Sequence, residues 1–414
     1  MKTKKVLRLA ALLMTIIMVA TVAVGCGNAS TASAEPTTST NAQPANSTNA
    51  APASTSTKPA TGGEILIGVS AAITGAAPLD GERSMQGINM AVEEINANGG
   101  VLGKKLKITS EDDQNTSNIA VNVVNKLVAN KDIVAVLGPH RSANAMATEQ
   151  IFADAKMPFL TGASSPNLVT KVNNPYFFRI RGSDSFVGQI IAKFALEKLK
   201  ATKIGIIYNN DDYGIGGRDV VKEYLTGKGC APVIMEGHNT GDMDMAGAIT
   251  KCKDAGINCL IVYTHDPEAA ILARQMNELG LDVPVVGPVT FTLPTFLSLV
   301  TAEETKGFYS VADFVSGNPD PLASNFQKAF KAKYGVDPDL FAAAYYTGVY
   351  ILKDAIERAG EASREAIQKA LLETKDLPSV YGKLYSNDRG EIVHSAVVTE
   401  IVDNKPVYST TVNE

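Results

Sequence analysis

The chain has 414 residues, of which 45% are hydrophobic, enough for two globular domains with real cores. Its formal charge of −5, from 38 Lys+Arg against 43 Asp+Glu, argues against a nucleic-acid partner, because neutralising phosphates needs a basic face. Four cysteines in this length exclude a disulfide-framework miniprotein, and a single apolar segment at the extreme N-terminus excludes a polytopic membrane protein.

That segment comes first. Lys2, Lys4, Lys5 and Arg8 precede an uncharged run from Leu9 to Gly25 that ends Ala23-Val24-Gly25-Cys26. A basic start, an apolar middle and small residues before a cleavage point read as a secretory signal over residues 1–26. Cys26 after Gly25 resembles the cysteine of a bacterial lipobox, whose thiol is acylated, although Ala23 stands where Leu is usual. Residues 27–63 are nearly all Ser, Thr, Asn, Ala, Pro and Gly, with only Glu35 and Lys58 charged. Such a segment has too little apolar surface to offset its ordering entropy, so a disordered tether is expected. Without the four positive charges of the signal the chain carries a formal −9, which bears on solubility rather than on a partner.

From Glu64 onward, β-branched apolar runs alternate with helical patterns. Strands are expected at Ile65–Val69, Leu106–Ile108, Ile133–Leu137 and Pro158–Leu160, with helices at Ser84–Asn96, Ile119–Ala129 and Ala143–Ala155. After a reset near residues 182–202 the alternation restarts. Strands Lys203–Tyr208, Cys230–Met235, Cys259–Tyr263 and Val283–Val286 are separated by helices Arg218–Gly227, Met245–Ala255 and Glu268–Leu279. Two doubly wound lobes with parallel sheets follow, and such sheets bind ligands beyond the carboxyl ends of their strands.

Several segments together resemble the branched-chain amino acid binding proteins, periplasmic-binding-protein type I receptors that feed ABC importers. They are Ile67–Gly75, Gly87–Gly103, Glu111-Asp-Asp113, Gly138-Pro-His-Arg-Ser142, Thr161-Gly-Ala-Ser-Ser-Pro166, Ile204–Gly217, Gly241-Asp-Met-Asp244 and Gly287-Pro288. The resemblance runs from about residue 64 to 400. It implies two lobes joined by a three-segment hinge, with residues 64–184 and 315–384 in the N-terminal lobe and 185–314 and 385–414 in the C-terminal lobe. Signal and tether place the folded body, expected to be a monomer, outside the cytoplasmic membrane with its lipid anchor on Cys26, and the resemblance implies that it delivers an amino acid to ABC permease subunits.

Two turns carry a physical argument of their own. Ser142 is expected at the N-cap of the helix after Leu137, where a hydroxyl and free N–H groups meet the positive end of the helix dipole. Ser165 precedes Pro166, a residue suited to a first helical turn. The two turns would form a carboxylate cradle. The resemblance places Ser142 and Ser165 at positions that bind the α-carboxylate and Ala163 at the one whose carbonyl takes the α-ammonium. It matches Tyr213 to a tyrosine that closes over the ligand. Tyr263-Thr264-His265-Asp266 ends a strand at the equivalent edge.

Three positions depart from the family pattern. Val289 follows Gly287-Pro288 where an acid usually pairs the ammonium, Asp80 falls where the first glycine-rich turn usually has an aromatic residue, and His265 replaces a tyrosine. Desolvating an ammonium without a carboxylate costs several kcal/mol. Either Asp80 or Asp266 therefore replaces the missing acid, or the ligand is not a simple aliphatic amino acid. Asp80 is expected to face the side-chain end of the ligand and to favour a polar or cationic one. Arg141 could pair with a second ligand carboxylate.

The sequence shows no Gly-x-Ser-x-Gly elbow, Walker A spacing or His-Glu-x-x-His pair, so no enzyme activity and no cofactor are expected. His140, His238, His265 and His394 are scattered singly, without metal-ligand spacing. Cys230, Cys252 and Cys259 leave a Cys252–Cys259 bridge open. A sensory module of the same fold and a receptor for a non-amino-acid carboxylate or amide are the alternative functions. An extracellular hydrolase would need a nucleophile–base pair that is not found.

Overall fold

The computed structural model describes residues 62–412 apart from Val172. The signal segment, Cys26 and nearly all of the tether lie outside the described residues. Among the described residues no helix is long and apolar enough to cross a membrane.

The first sheet takes the chain in order through β1 (Glu64–Ala71), α1 (Pro78–Ala97), β2 (Lys105–Asp112), α2 (Ser117–Ala129), β3 (Ile133–Leu137), α3 (Ser142–Asp154), β4 (Phe159–Thr161), α4 (Asn167–Thr170) and β5 (Phe177–Arg179). Its strands are all parallel, in the order β2-β1-β3-β4-β5. The chain then builds α5 (Asp184–Glu197), β6 (Ile204–Asn209), α6 (Asp212–Gly227), β7 (Ile234–His238), α7 (Ala246–Asp254), β8 (Cys259–Tyr263), α8 (Asp266–Leu279), β9 (Val285–Gly287), a 3₁₀ turn at Val289–Thr292, α9 (Pro294–Leu299) and β10 (Phe308–Ala312). It returns to the first layer for α10 (Pro321–Tyr334), α11 (Leu340–Ala359), α12 (Arg364–Leu372) and the small ribbon β11 (Leu377–Ser379), β12 (Gly382–Ser386) and β13 (Ile392–Val393). It ends with β14 (Ala396–Val402) and β15 (Lys405–Val412) in the second sheet.

The second sheet has the order β15-β14-β10-β9-β8-β6-β7. Strands β6 to β10 are parallel, and the last two add an antiparallel edge that periodicity had not shown. Their hairpin turns through Asp403 and Asn404, both left-handed at φ 49° and 58°, residue types that tolerate this conformation.

Strand residues alternate between faces, and both faces are covered. Ile65, Ile67 and Val69 pack under α1 and α11, while Ile133 and Phe159 face α2 and α3 with Val124, Leu127 and Phe152. In the second sheet Leu260 and Val262 face α7 and α8, whereas Ile204, Ile206 and Ile261 face α5 and α6. This is the pattern of a sheet buried on both sides, and it explains the unbroken apolar runs.

Three elements start four or more residues from the sequence expectation. Helix α1 starts at Pro78 rather than Ser84, because proline fits the first helical position; Asp80 is therefore helical. Helix α6 starts at Asp212 rather than Arg218, because the Asp211 carboxylate caps it by accepting from the Gly214 N–H at 3.0 Å. Strand β7 starts at Ile234 rather than Cys230, since Pro232 cannot donate to the ladder. Cys230, Cys252 and Cys259 are free thiols, and burial pushes Cys252 up to about 11 and Cys259 up to about 12.

The chain passes between the two layers three times: after Ile180, after Val311 and between Ile392 and Ala396. The last passage falls later than the expected boundary at 385. Strands β12 and β13 stay with β11, and Glu391 bridges Arg179 of β5. Asp313 touches all three passages. Its carboxylate accepts from the Gly182 N–H, pairs with Arg181 Nη2 at 3.0 Å and lies 3.7 Å from His394 Nε2. Burial holds His394 below the usual imidazole range. Asp313→Ala would strand the buried Arg181 guanidinium and is expected to lower stability by about 3–5 kcal/mol in urea denaturation; a loss below about 1 kcal/mol would contradict this role.

Candidate functional site

A cavity opens between the carboxyl ends of the strands of both sheets, where a parallel α/β sheet presents its loops and helix N-termini. On the first side, α1 lies hard against the end of β1. A Cβ on Gly81 would stand 2.0 Å from the Ala72 carbonyl oxygen, so only glycine permits this approach. The neighbouring Asp80 is thereby held on the cavity wall, 7% exposed. The turn after β3 supplies His140, Arg141 and Ser142.

Ser142 does not cap its helix as expected. Arg141 holds the N-cap position without a side-chain bond, and Ser142 is the first helical residue. Its Oγ instead accepts from the Ser165 N–H at 3.2 Å, which leaves its own hydrogen free to give to a ligand. The two serine turns are thus joined, but only Ser142 lines the cavity. Ser165 is fully buried behind it and donates to the Asp212 carbonyl at 2.8 Å. Ala163 also stays off the wall, and its carbonyl accepts from Arg179 Nη1 at 3.2 Å. Ser164 takes the place on the wall between them.

The second side brings Tyr213, His265, Asp266 and Val289 to the same cavity, together with Thr290. Thr290 gives its hydroxyl hydrogen to the Thr264 carbonyl at 2.9 Å, so Tyr213 donates to Thr290 across 3.4 Å. The Tyr213 ring stacks on His265 at 5.1 Å. Val289 and Leu293 pack into the core cluster of the opposite lobe, and Phe341 of α11 shares the wall with them. The cleft is therefore closed around its apolar rim.

Asp211, absent from the expected site, is the centre of the polar closure. It accepts from His265 Nε2 at 2.7 Å and from Arg141 Nη2 at 3.4 Å, and Arg141 also reaches Thr240 at 3.1 Å. Burial works against its charge, but the His265 bond and the nearby cations hold its carboxyl well below the usual range. The Asp-Asp-Tyr-Gly turn after a strand was the signal that could have found it, as an acidic N-cap.

The remaining charges are unbalanced. Arg141 is engaged by Asp211 and Arg181 by Asp313. His140 lies 3.8 Å from Asp80, but burial lowers its ring to about 3 and leaves it neutral. Burial, and then the charges of Asp266 and Asp339, raise Asp80 well above the carboxylate range. Burial first, then Glu268 and Asp339, raises Asp266 to about 7. Asp339, the N-cap of α11, rises to about 6 by burial. Among the described residues no group of three or more His, Cys, Asp or Glu side chains is placed to hold a metal ion.

A family model described as "Periplasmic binding protein" matches residues 64–406. The chain is 28% identical over 335 residues to the Leu/Ile/Val-binding protein BraC3 of Rhizobium johnstonii, covering 81% of this chain and 90% of that one. It is 29% identical over 329 residues to a leucine-, isoleucine-, valine-, threonine- and alanine-binding protein of Pseudomonas aeruginosa, covering 79% and 87%. Among solved structures, the branched-chain amino acid transporter substrate-binding protein LivJ of Streptococcus pneumoniae, in complex with isoleucine, superposes with a TM-score of 0.78 at 28% identity, over 84% of this chain and 99% of that one.

The raised carboxyls fix a pH dependence. An acid whose folded pKa exceeds its unfolded value of about 4 contributes stability below that value, and the contribution is lost as pH rises through the folded pKa. For Asp266 that window runs up to about 7. The melting temperature without ligand is expected to fall between about pH 5 and pH 8, and Asp266→Asn to flatten the fall; an unchanged profile in the variant would contradict the assignment.

Proposed function

The chain belongs to the periplasmic binding protein family, and on that basis we propose that it captures an amino acid outside the cytoplasmic membrane and delivers it to the membrane subunits of an ABC importer. In this reading Cys26 carries the lipid anchor and residues 27–63 give the binding body its reach. The names of the relatives support an amino acid as the solute.

The observation that carries the reading is the closed cavity, whose two walls come from different lobes. The Arg141–Asp211 pair and the bond from Ser165 to the Asp212 carbonyl both join the first lobe to the start of α6. Such contacts form only when the lobes are together. A solute that touches both walls shifts the balance toward the closed form by its differential affinity for that form. The closed form is then the signal an importer can recognise, because it differs in shape from the open one.

Within the cavity, the free hydrogen of Ser142 suits a ligand carboxylate, and a hydrogen bond to a charged group is worth about 1.5–3 kcal/mol. Val289, Leu293 and Phe341 offer apolar cover to a side chain. In a thermal-shift screen of the twenty amino acids, at least one is expected to raise the melting temperature in proportion to the logarithm of its concentration. Ser142→Ala should weaken that amino acid about 10- to 100-fold in calorimetric titration. If no amino acid moves the melting point, the reading fails.

A further inference from the structure

Three acids line the cavity, Asp80, Asp266 and Glu268; Arg141 lowers Asp80 and Asp266 from a distance, but neither is in ion-pair contact with an arginine or lysine. Asp80 comes from the first turn of α1 in one lobe, and Asp266 from the first turn of α8 in the other. Both are more than nine-tenths buried, at 7% and 8% exposure, and both line the cavity. The charged and titratable groups around them come from four directions, and each is spent or of the wrong sign. From the β3–α3 turn, Arg141 is tied to Asp211 and His140 is neutral. From the first passage between lobes, Arg181 is tied to Asp313. From α1 and α11, Arg83 pairs with Glu82, and Asp339 adds a further acid. From α8 itself, His265 is bonded to Asp211, and Glu268 accepts from the Gly241 N–H at 2.6 Å.

Resting on the amino-acid reading above, we propose that Asp80 and Asp266 clamp a positively charged side chain from opposite lobes, so that the preferred solute is a basic L-amino acid rather than an aliphatic one. With a zwitterion of zero net charge the two buried carboxyls must either stay protonated or carry their charge unpaired, and the second is costly in a desolvated site. A solute with an additional cation relieves that cost. The apolar wall formed by Val289, Leu293 and Phe341 matches the methylene stem that such a side chain carries below its charged tip. Burial holds both carboxyls above their usual range, a penalty that a bound cation removes. A metal ion does not fit the same chemistry, since two carboxylates are too few ligands and among the described residues no third acid, His or Cys completes a cluster.

Because Asp80 and Asp266 belong to different lobes, the clamp also ties recognition to closure. A cation held by one carboxylate draws the other toward it, whereas without the cation burial favours the protonated acids and nothing draws the two together. Val289 keeps its own place on the cavity wall apolar.

Calorimetric titration of the purified protein with L-lysine, L-arginine, L-ornithine, L-leucine and putrescine tests the clamp. At least one basic amino acid is expected to bind at least about 10-fold more tightly than leucine. Asp80→Asn and Asp266→Asn should each weaken it about 10- to 100-fold, and at least about 10-fold more than they weaken leucine. Unaltered far-ultraviolet circular dichroism verifies that both variants are folded. Leucine binding as tightly as every basic amino acid overturns the clamp and leaves the amino-acid reading standing, as does a preference for lysine that neither variant reduces. Binding of putrescine but of none of the four amino acids upholds the cation clamp and overturns the basic amino acid as its solute. Failure of all five solutes to bind overturns the clamp, and the amino-acid reading then stands or falls on the thermal-shift screen of all twenty.

Discussion

Asp313 is the constraint on which the rest of the architecture depends. A chain that crosses three times between two sheets must bring three unrelated segments to one place, and their backbone donors and charged side chains have to be satisfied out of water. One carboxylate serves all three, accepting from the Gly182 N–H, pairing with Arg181 and lying 3.7 Å from His394. A buried ion pair contributes little net stability against a well-packed apolar alternative, but breaking one partner away is expensive. Its value here is therefore in register: it fixes how the carboxyl ends of the two sheets face each other, and the cavity exists because they do.

The cavity then follows from where each loop leaves its strand. Gly81 lets α1 approach β1, which sets Asp80 on one wall; the cap made by Asp211 starts α6 early, which sets Tyr213 on the other. Asp211 serves twice, as helix cap through one oxygen and as the partner of His265 and Arg141 through the other. The same division of labour holds for Ser142, which accepts from the neighbouring turn and keeps its hydrogen for a ligand. These arrangements leave the arginines engaged and set Asp80 and Asp266 on the cavity wall.

Much of the fold was legible in the sequence because buried parallel strands write themselves as apolar β-branched runs; Ile133–Leu137 and Cys259–Tyr263 were read to the residue. Helix starts were less legible, since they depend on caps. Pro78 and Asp211 begin α1 and α6 six residues before the apolar periodicity does. The antiparallel edge of β14 and β15 was not anticipated, because an alternating exposed strand such as β15 has no continuous apolar run. In the site, the residues at strand ends, Ser142, His265, Asp266 and Val289, were readable from position, and the structure gathers them around one cavity with Asp80 and Tyr213. Ser165 and Ala163 stand behind the wall, a distinction that turns on which way a peptide faces and that no spacing encodes. Asp211 and Arg181 escaped because their importance lies in pairings with residues of distant segments.

The claim at the centre of this account is that the solute is enclosed between the two lobes. Hydrogen–deuterium exchange, measured with and without the amino acid that most raises the melting temperature, tests it directly. Slowed exchange is expected in four stretches at once: the start of α1, the turn after β3, the start of α6 and the turn before α8. Protection confined to one lobe, or centred on the separate apolar groove beside Glu94, Phe326 and Tyr350, would contradict it.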